Sequence, residues 1–272
     1  MNSASAFHPD FLGEMCRHLK LKPYIHTKQF VVQHLFPDTV RLLKILNDYV
    51  QIDTVIGISY SGNTQSIDEL RSIGIRVLTP EYSDLRECVS SELQDCIARC
   101  EKNDKQLVIH EVGGIAIKAL HEPSYRGGHT VIGALEITKQ GVWVAEQIEQ
   151  LKIPQFNVAQ TRIKEIEGKQ VGEAVVCALD NILRELGYAT VGRDALVTGY
   201  GWVGKGVAQS LRNRGLSVAV KDTDSVALVE AAVDGHHASY QEPLQRKPSL
   251  VIGATGKQSI EITPIREPVH FA

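Results

Sequence analysis

The segment Gly199-Tyr200-Gly201-Trp202-Val203-Gly204 constrains this chain more than any other. It follows the apolar run Ala195-Leu196-Val197-Thr198 and precedes Val207, Ala208 and Leu211, which recur at helical spacing ahead of Gly215. A second apolar run, Leu216 to Val220, then leads to Asp222, about twenty residues beyond the glycines. Strand, glycine turn, helix, strand and acid in this order specify a dinucleotide-binding β-α-β unit. The first glycine permits the tight turn, the second lets the backbone approach a pyrophosphate, and the third brings helix and strand together. Trp202 and Val203 open the helix, whose first N–H groups face the phosphates. Asp222 is placed to accept hydrogen bonds from ribose hydroxyls, and Asp224 adds negative charge where a 2′-phosphate would sit. The expected cofactor is therefore NAD.

A chain of 272 residues is long enough for two domains, and 43% hydrophobic with 22% charged residues is ordinary for a soluble protein. With a formal net charge of −3 and no long basic run, a nucleic-acid partner is not expected. No apolar stretch approaches the roughly eighteen residues of a membrane helix, and the N-terminus lacks the basic and apolar regions of a secretion signal. A cytoplasmic location and a small-molecule partner are expected. The five cysteines, Cys16, Cys88, Cys96, Cys100 and Cys177, show no paired spacing and fit a reducing compartment. Cys88, Cys96 and Cys100 can share one helix face, where ordinary packing is preferred over a metal or redox site. No metal is expected.

Upstream of the glycine turn, short apolar runs alternate with helical segments. Pro37 to Tyr49, Asp84 to Arg99 and Glu136 to Leu151 read as helices, and Asp53 to Ile58, Ile75 to Leu78 and Gln106 to Ile109 as strands. The first twenty-five or so residues have no clear period and read as a short arm with one helix. A loop carries Arg126-Gly127-Gly128, and a long amphipathic segment runs from Ile166 to Leu186, with Gly187 as its C-cap. Later strands are expected at Ala238–Tyr240 and Leu250–Gly253. The expected fold is α/β, with two Rossmann-like domains, each a mostly parallel sheet flanked by helices. Residues 1–188 form the substrate or catalytic domain and 189–272 a short NAD-binding domain.

The run from Gly199 to Arg212, followed by Val218-Ala219-Val220-Lys221-Asp222-Thr223-Asp224, closely resembles the NAD-binding region of S-adenosylhomocysteine hydrolases. Ala254-Thr255-Gly256 resembles the family's turn after the fourth strand. Weaker similarity reaches upstream through Glu136-Ile137-Thr138-Lys139-Gln140-Gly141, which resembles Glu-Glu-Thr-Thr-Thr-Gly, to the helix after His34. The resemblance implies that Thr138, Thr255 and Gly256 join Gly199, Gly201, Gly204 and Asp222 in holding the cofactor. It also implies that His34 is the substrate-side histidine, with Asp38 a neighbouring acid. Lys164 falls on the lysine that assists oxidation of the ribose 3′-hydroxyl, and Glu136 on the first glutamate of its motif. Three acids of the family differ here: Ile137, Val112 and Gly168 stand in their places, beside Glu136, Glu111 and Glu167. The family's Gly-His-Phe-Asp segment and C-terminal tail have no counterpart in this sequence.

The expected function is NAD-linked redox chemistry on a small molecule at a domain cleft, with Lys164, Glu136 and His34 as catalytic residues. Ordinary S-adenosylhomocysteine hydrolysis is not expected, because a residue displaced by one helical position points about a hundred degrees away. One alternative is a regulatory protein that binds NAD without turnover. Another follows from Ser59-Tyr60-Ser61-Gly62-Asn63-Thr64, which resembles the phosphate loop of sugar isomerase domains and implies a phosphosugar ligand. Apolar helix faces and a short sheet imply a homo-oligomer.

Overall fold

The computed structural model describes residues 11–123, 125, 129–240 and 248–257, so the expected loop at Arg126-Gly127-Gly128 lies outside the described residues. The chain forms two compact units, Met1–Ala159 and Gln160–Ala272. Among the described residues, no helix is long and apolar enough to cross a membrane.

The first unit begins with α1 (Phe11–His18), β1 (Thr27–Gln33), α2 (Pro37–Asn47), β2 (Gln51–Gly57), α3 (Thr64–Ser72), β3 (Arg76–Leu78) and α4 (Leu85–Lys102). It continues with β4 (Gln106–Glu111), α5 (Ile115–Leu120), β5 (Val131–Glu136), α6 (Lys139–Glu146) and β6 (Gln155–Asn157). Its six described strands pair in the order β3-β2-β1-β4-β5-β6, all parallel. This is the doubly wound dinucleotide-domain order, whose direction reverses between β1 and β4. One sheet face carries Phe30, Ile56 and Ile109 against α4 and α5. The other carries Val31 and Val55 beneath Val40, Leu43 and Leu70 of α2 and α3. Cys96 and Cys100 are buried in the first of these cores and Cys88 packs on it, so their shared helix face is a packing face.

Two strands depart from the sequence expectation. The region before α2 contains the central strand β1, in which Gln29 and Gln33 are buried beside three apolar residues, Phe30, Val31 and Val32. Polar residues at buried positions hide the apolar alternation that marks a strand. Likewise, Glu136 does not begin a helix; it ends β5, and α6 starts at Lys139 with Thr138 as N-cap. Gly133 interrupts that strand's apolar run, and its hydrogen bonds to β4 compensate.

The second unit holds α7 (Arg162–Glu185), β7 (Asp194–Thr198), α8 (Trp202–Asn213), β8 (Ser217–Lys221), α9 (Ser225–Val233), β9 (His237–Ser239) and β10 (Leu250–Gly253). Its four described strands are parallel in the order β10-β7-β8-β9. Gly187, at φ +81°, follows the end of α7 as expected. The division between the compact units falls between Ala159 and Gln160, so that α7 belongs to the second unit, where it packs on α8. A Cβ on Gly172 would overlap the backbone of Gly206 and Val207, and one on Gly206 would come within 2.6 Å of the Gly168 carbonyl oxygen. The two helix backbones therefore touch directly, which only glycines allow, and Val176 and Leu179 continue the contact into the core of this unit.

Gly172→Ala is expected to cost the second unit about 1–3 kcal/mol, because a methyl group cannot enter a backbone contact without parting the helices. Urea unfolding followed by Trp202 fluorescence in a Trp143→Phe background measures this. Gly187→Asn, at a left-handed position with open space, should stay close to the parent.

Candidate cofactor and substrate sites

The glycine turn of the second unit is built as the phosphate-binding chemistry requires. Gly199 adopts φ +95°, and a Cβ there would come within 2.8 Å of the Ala254 carbonyl oxygen. A Cβ on Gly204 would overlap the Gly199 carbonyl, so the third glycine lets α8 start against the end of β7. Around Gly201 the space is open, with no atom within 4 Å of a Cβ built on it. That open space beside the α8 N-terminus fits a pyrophosphate. Asp222, at the end of β8, accepts from the Tyr200 N–H at 2.5 Å and from the Asp224 N–H at 2.9 Å, which fixes its carboxylate beside the turn. Asp224 caps α9 by accepting from the Val226 N–H. Thr255 closes a local turn with Lys257, and its methyl group lies against Gly199. Trp202 and Val203 form the first turn of α8, and the Trp202 Cβ is where a Cβ on Gly168 would collide, at 2.7 Å.

Lys164 lies in the first turn of α7, one turn before Gly168. Its ammonium pairs with Glu167 at 2.5 Å and only about a fifth of its side chain is exposed. A glutamate three residues on thus reaches Lys164 along the same helix. This corrects the expectation that Glu167 points elsewhere. Gly168 itself has no room for an acid, because Trp202 fills the space.

In the first unit, the expected site residues stand at the C-terminal ends of β1, β4 and β5. Glu111 and Glu136 are register partners across β4 and β5, and neither has any exposed surface. Glu111 accepts from the Ala116 N–H at 2.6 Å and the Ile117 N–H at 2.9 Å, holding the start of α5. Glu136 accepts from the Thr138 N–H and hydroxyl at 2.7 and 2.6 Å and from the Gly114 and Gly113 N–H groups at 2.9 and 3.3 Å. Its carboxylate fills the space where Gly141 would carry a Cβ. The Thr138 hydroxyl donates to Glu136 and accepts from Gly113 and Gly141, so its one donor and both acceptor sites are used. Glu136 and Thr138, the expected catalytic and cofactor residues, are joined in a clamp around the buried Glu136 carboxyl. Burial, with Glu136 second, pushes the Glu111 carboxyl up to about 8 against the pull of its backbone N–H bonds. Burial also raises Glu136, opposed by its bonds from Thr138, Gly114 and Gly113.

His34 follows β1 and is half-buried, with Nδ1 2.9 Å from the Ser61 hydroxyl oxygen. Burial lowers its pKa. Sequence reasoning missed this pairing with Ser61, and it missed Glu111 as a helix anchor. The Gly168-x-x-x-Gly172 spacing was a visible signal for the helix contact.

Residues 174–266 match the family S-adenosyl-L-homocysteine hydrolase, NAD binding domain. The adenosylhomocysteinase of Archaeoglobus fulgidus is 28% identical over 196 residues, covering 71% of this chain and 47% of that protein. That of Sulfurisphaera tokodaii is 26% identical over 250 residues, 89% of this chain and 57% of the other. The S-inosyl-L-homocysteine hydrolase of Methanosarcina mazei is 28% identical over 176 residues, 64% of this chain and 42% of the other. The chain is similar to adenosylhomocysteinases and S-inosyl-L-homocysteine hydrolases. NAD is the cofactor of its second unit, matching both the family and the glycine geometry. The chain spans about half the length of the curated relatives it matches. Among solved structures, the dipicolinate synthase A chain from Bacillus subtilis overlays with a TM-score of 0.40 at 12% identity, over 78% of this chain and 65% of the other. The fold assignment stands on the strand orders themselves.

NAD should bind more tightly than NADP, and Asp222→Ser should narrow the gap, as calorimetric titration of both cofactors reads; equal affinities in the parent would remove the assigned role of Asp222. A second expectation concerns Glu111. A carboxyl group raised in the folded state stabilises fully below its unfolded value, and that stability is lost as pH climbs toward about 8. Glu111→Gln should therefore gain on the parent between about pH 5 and about pH 8, measured by urea unfolding with Trp143 as reporter in a Trp202→Phe background.

Proposed function

We propose that this protein carries out NAD-linked redox chemistry on a small molecule, the second unit holding the cofactor and the first supplying substrate-side residues. The observation that carries this reading is the complete glycine turn with Asp222 fixed beside it, in the same unit as a mostly buried Lys164 ammonium paired with the half-exposed Glu167. NAD, when bound, supplies the hydride acceptor; Lys164 holds or moves the proton of the hydroxyl being oxidised, and Glu167 keeps its ammonium in place. His34 stands at the end of the central strand of the first unit, beside the point where strand order reverses, the position at which open parallel sheets take ligands.

Ordinary hydrolysis of S-adenosylhomocysteine requires further groups that remove a second proton and expel the thiol. Val112 and Ile137 provide no acid, and the neighbouring Glu111 and Glu136 have no exposed surface with which to replace them. A missing proton-transfer group costs on the order of 10²–10⁴ in rate. The same enclosure favours a second reading, a regulatory protein that binds NAD without turnover. A phosphosugar ligand is less favoured, because the Ser61 hydroxyl is buried and donates inward to the Ile58 carbonyl oxygen at 2.8 Å.

The deciding assay incubates NAD-loaded protein with S-adenosylhomocysteine and follows both free homocysteine and reduced cofactor. Little or no homocysteine is expected. Release at about one per second that vanishes in Lys164→Ala would restore the hydrolase, whereas NAD binding without reduction by any nucleoside or amino acid would favour the regulatory reading. Self-association belongs to the same proposal, since Val226, Val229 and Val233 of α9 and Ile182 and Leu186 at the end of α7 are exposed. Light scattering should give a mass above that of one chain at micromolar concentration.

A further inference from the structure

His34 carries more order than a surface histidine needs. Its backbone N–H donates to the Gln33 side-chain oxygen at 2.8 Å, and Gln33 is itself buried. On one side its ring stacks with Phe36, the centroids 5.8 Å apart and the planes 20° apart; the Tyr60 ring is tilted against it at 5.5 Å. The decisive contact is with Ser61, which lies in the single 3-10 turn Ser59–Ser61 after β2. A serine hydroxyl has one proton, and that of Ser61 goes to the Ile58 carbonyl oxygen. Towards the imidazole the serine oxygen is therefore an acceptor, and the 2.9 Å contact requires a proton on Nδ1.

We propose that Ser61 is a positioning residue: it fixes neutral His34 as the Nδ1–H tautomer and leaves Nε2 as an unprotonated acceptor at the end of the central strand. Nε2 has no hydrogen-bond partner among the described residues. No carboxylate supports an imidazolium here, and burial works in the same direction. A ring held in this state accepts a proton or a hydrogen bond and cannot donate one. The ligand group that Nε2 meets must therefore carry O–H or N–H; a carboxylate or a phosphodiester, which only accepts, is not matched. This chemistry selects a hydroxyl- or amine-bearing small molecule. Its meaning for turnover rests on the redox reading above, but the tautomer does not.

The test is nitrogen-15 NMR of the full chain with labelled histidine, the His34 signals being assigned by their loss in His34→Gln. In the parent, Nδ1 should show the protonated-nitrogen shift and Nε2 the bare-nitrogen shift at neutral pH. Ser61→Ala should abolish the preference and Ser61→Thr should retain it, with NAD affinity unchanged in both as evidence of folding. Millimolar acetate, which only accepts, should leave the His34 titration where it is. A parent with Nε2–H, a Ser61→Ala variant with the same tautomer, or a His34 titration moved upward by acetate would each overturn the assignment. Because no substrate is involved, an enzyme inactive on every small molecule still answers the question. Turnover in the redox assay that drops about tenfold in Ser61→Ala and returns in Ser61→Thr would tie the tautomer to the reaction, within the range for general acid–base groups.

Discussion

The second unit depends on one contact, the backbone-to-backbone crossing of α7 and α8 at Gly168, Gly172 and Gly206. It needs no side-chain complementarity; it needs side chains to be absent. Two helices normally pack with their axes 8–10 Å apart, separated by side chains, and glycines at the crossing bring them closer. The consequences reach beyond packing. The crossing draws a 24-residue helix into the nucleotide-binding unit. It sets the first turn of α7, with Lys164, one turn away from the residue that abuts Trp202 at the head of α8. It also excludes an acid at position 168, so that the partner of Lys164 is Glu167.

The first unit is organised around the opposite device, two carboxylates held inside the protein at the ends of adjacent strands. Each is surrounded by backbone N–H groups: Glu111 anchors α5, and Glu136 ties the Gly113-Gly114 turn to the start of α6. Buried carboxylates are costly, so burial shifts both upward, and the neighbouring Glu136 adds to the shift of Glu111. The outcome is a fixed loop at the C-terminal ends of β4 and β5.

His34 and Glu136 show how far residue type alone can carry a functional reading. Both were legible as candidates, because each falls in a motif with a family pattern. Their states were not legible. The Nδ1 proton of His34 depends on a serine 27 residues away whose own proton is directed by a carbonyl group. Glu136 is enclosed because Gly113, Gly114, Thr138 and Gly141 converge on it from two separate turns. The strands that present both residues were also missed. Buried glutamines in β1 and a glycine in β5 break the alternation by which strands are read, and pairing with β4 restores what local pattern lacks.

By itself the sequence determined the nucleotide turn, its NAD cofactor and the α/β class. Those features are local: glycines at fixed spacing, one acid after the second strand and short apolar runs dictate their own geometry over a few residues. The boundary between units, the partner of Lys164, the enclosure of Glu136 and Thr138 and the tautomer of His34 were decided by tertiary structure. Each depends on which distant backbone comes within hydrogen-bonding or van der Waals range. No spacing along the chain encodes that distance; it is set only when helices and strands have packed.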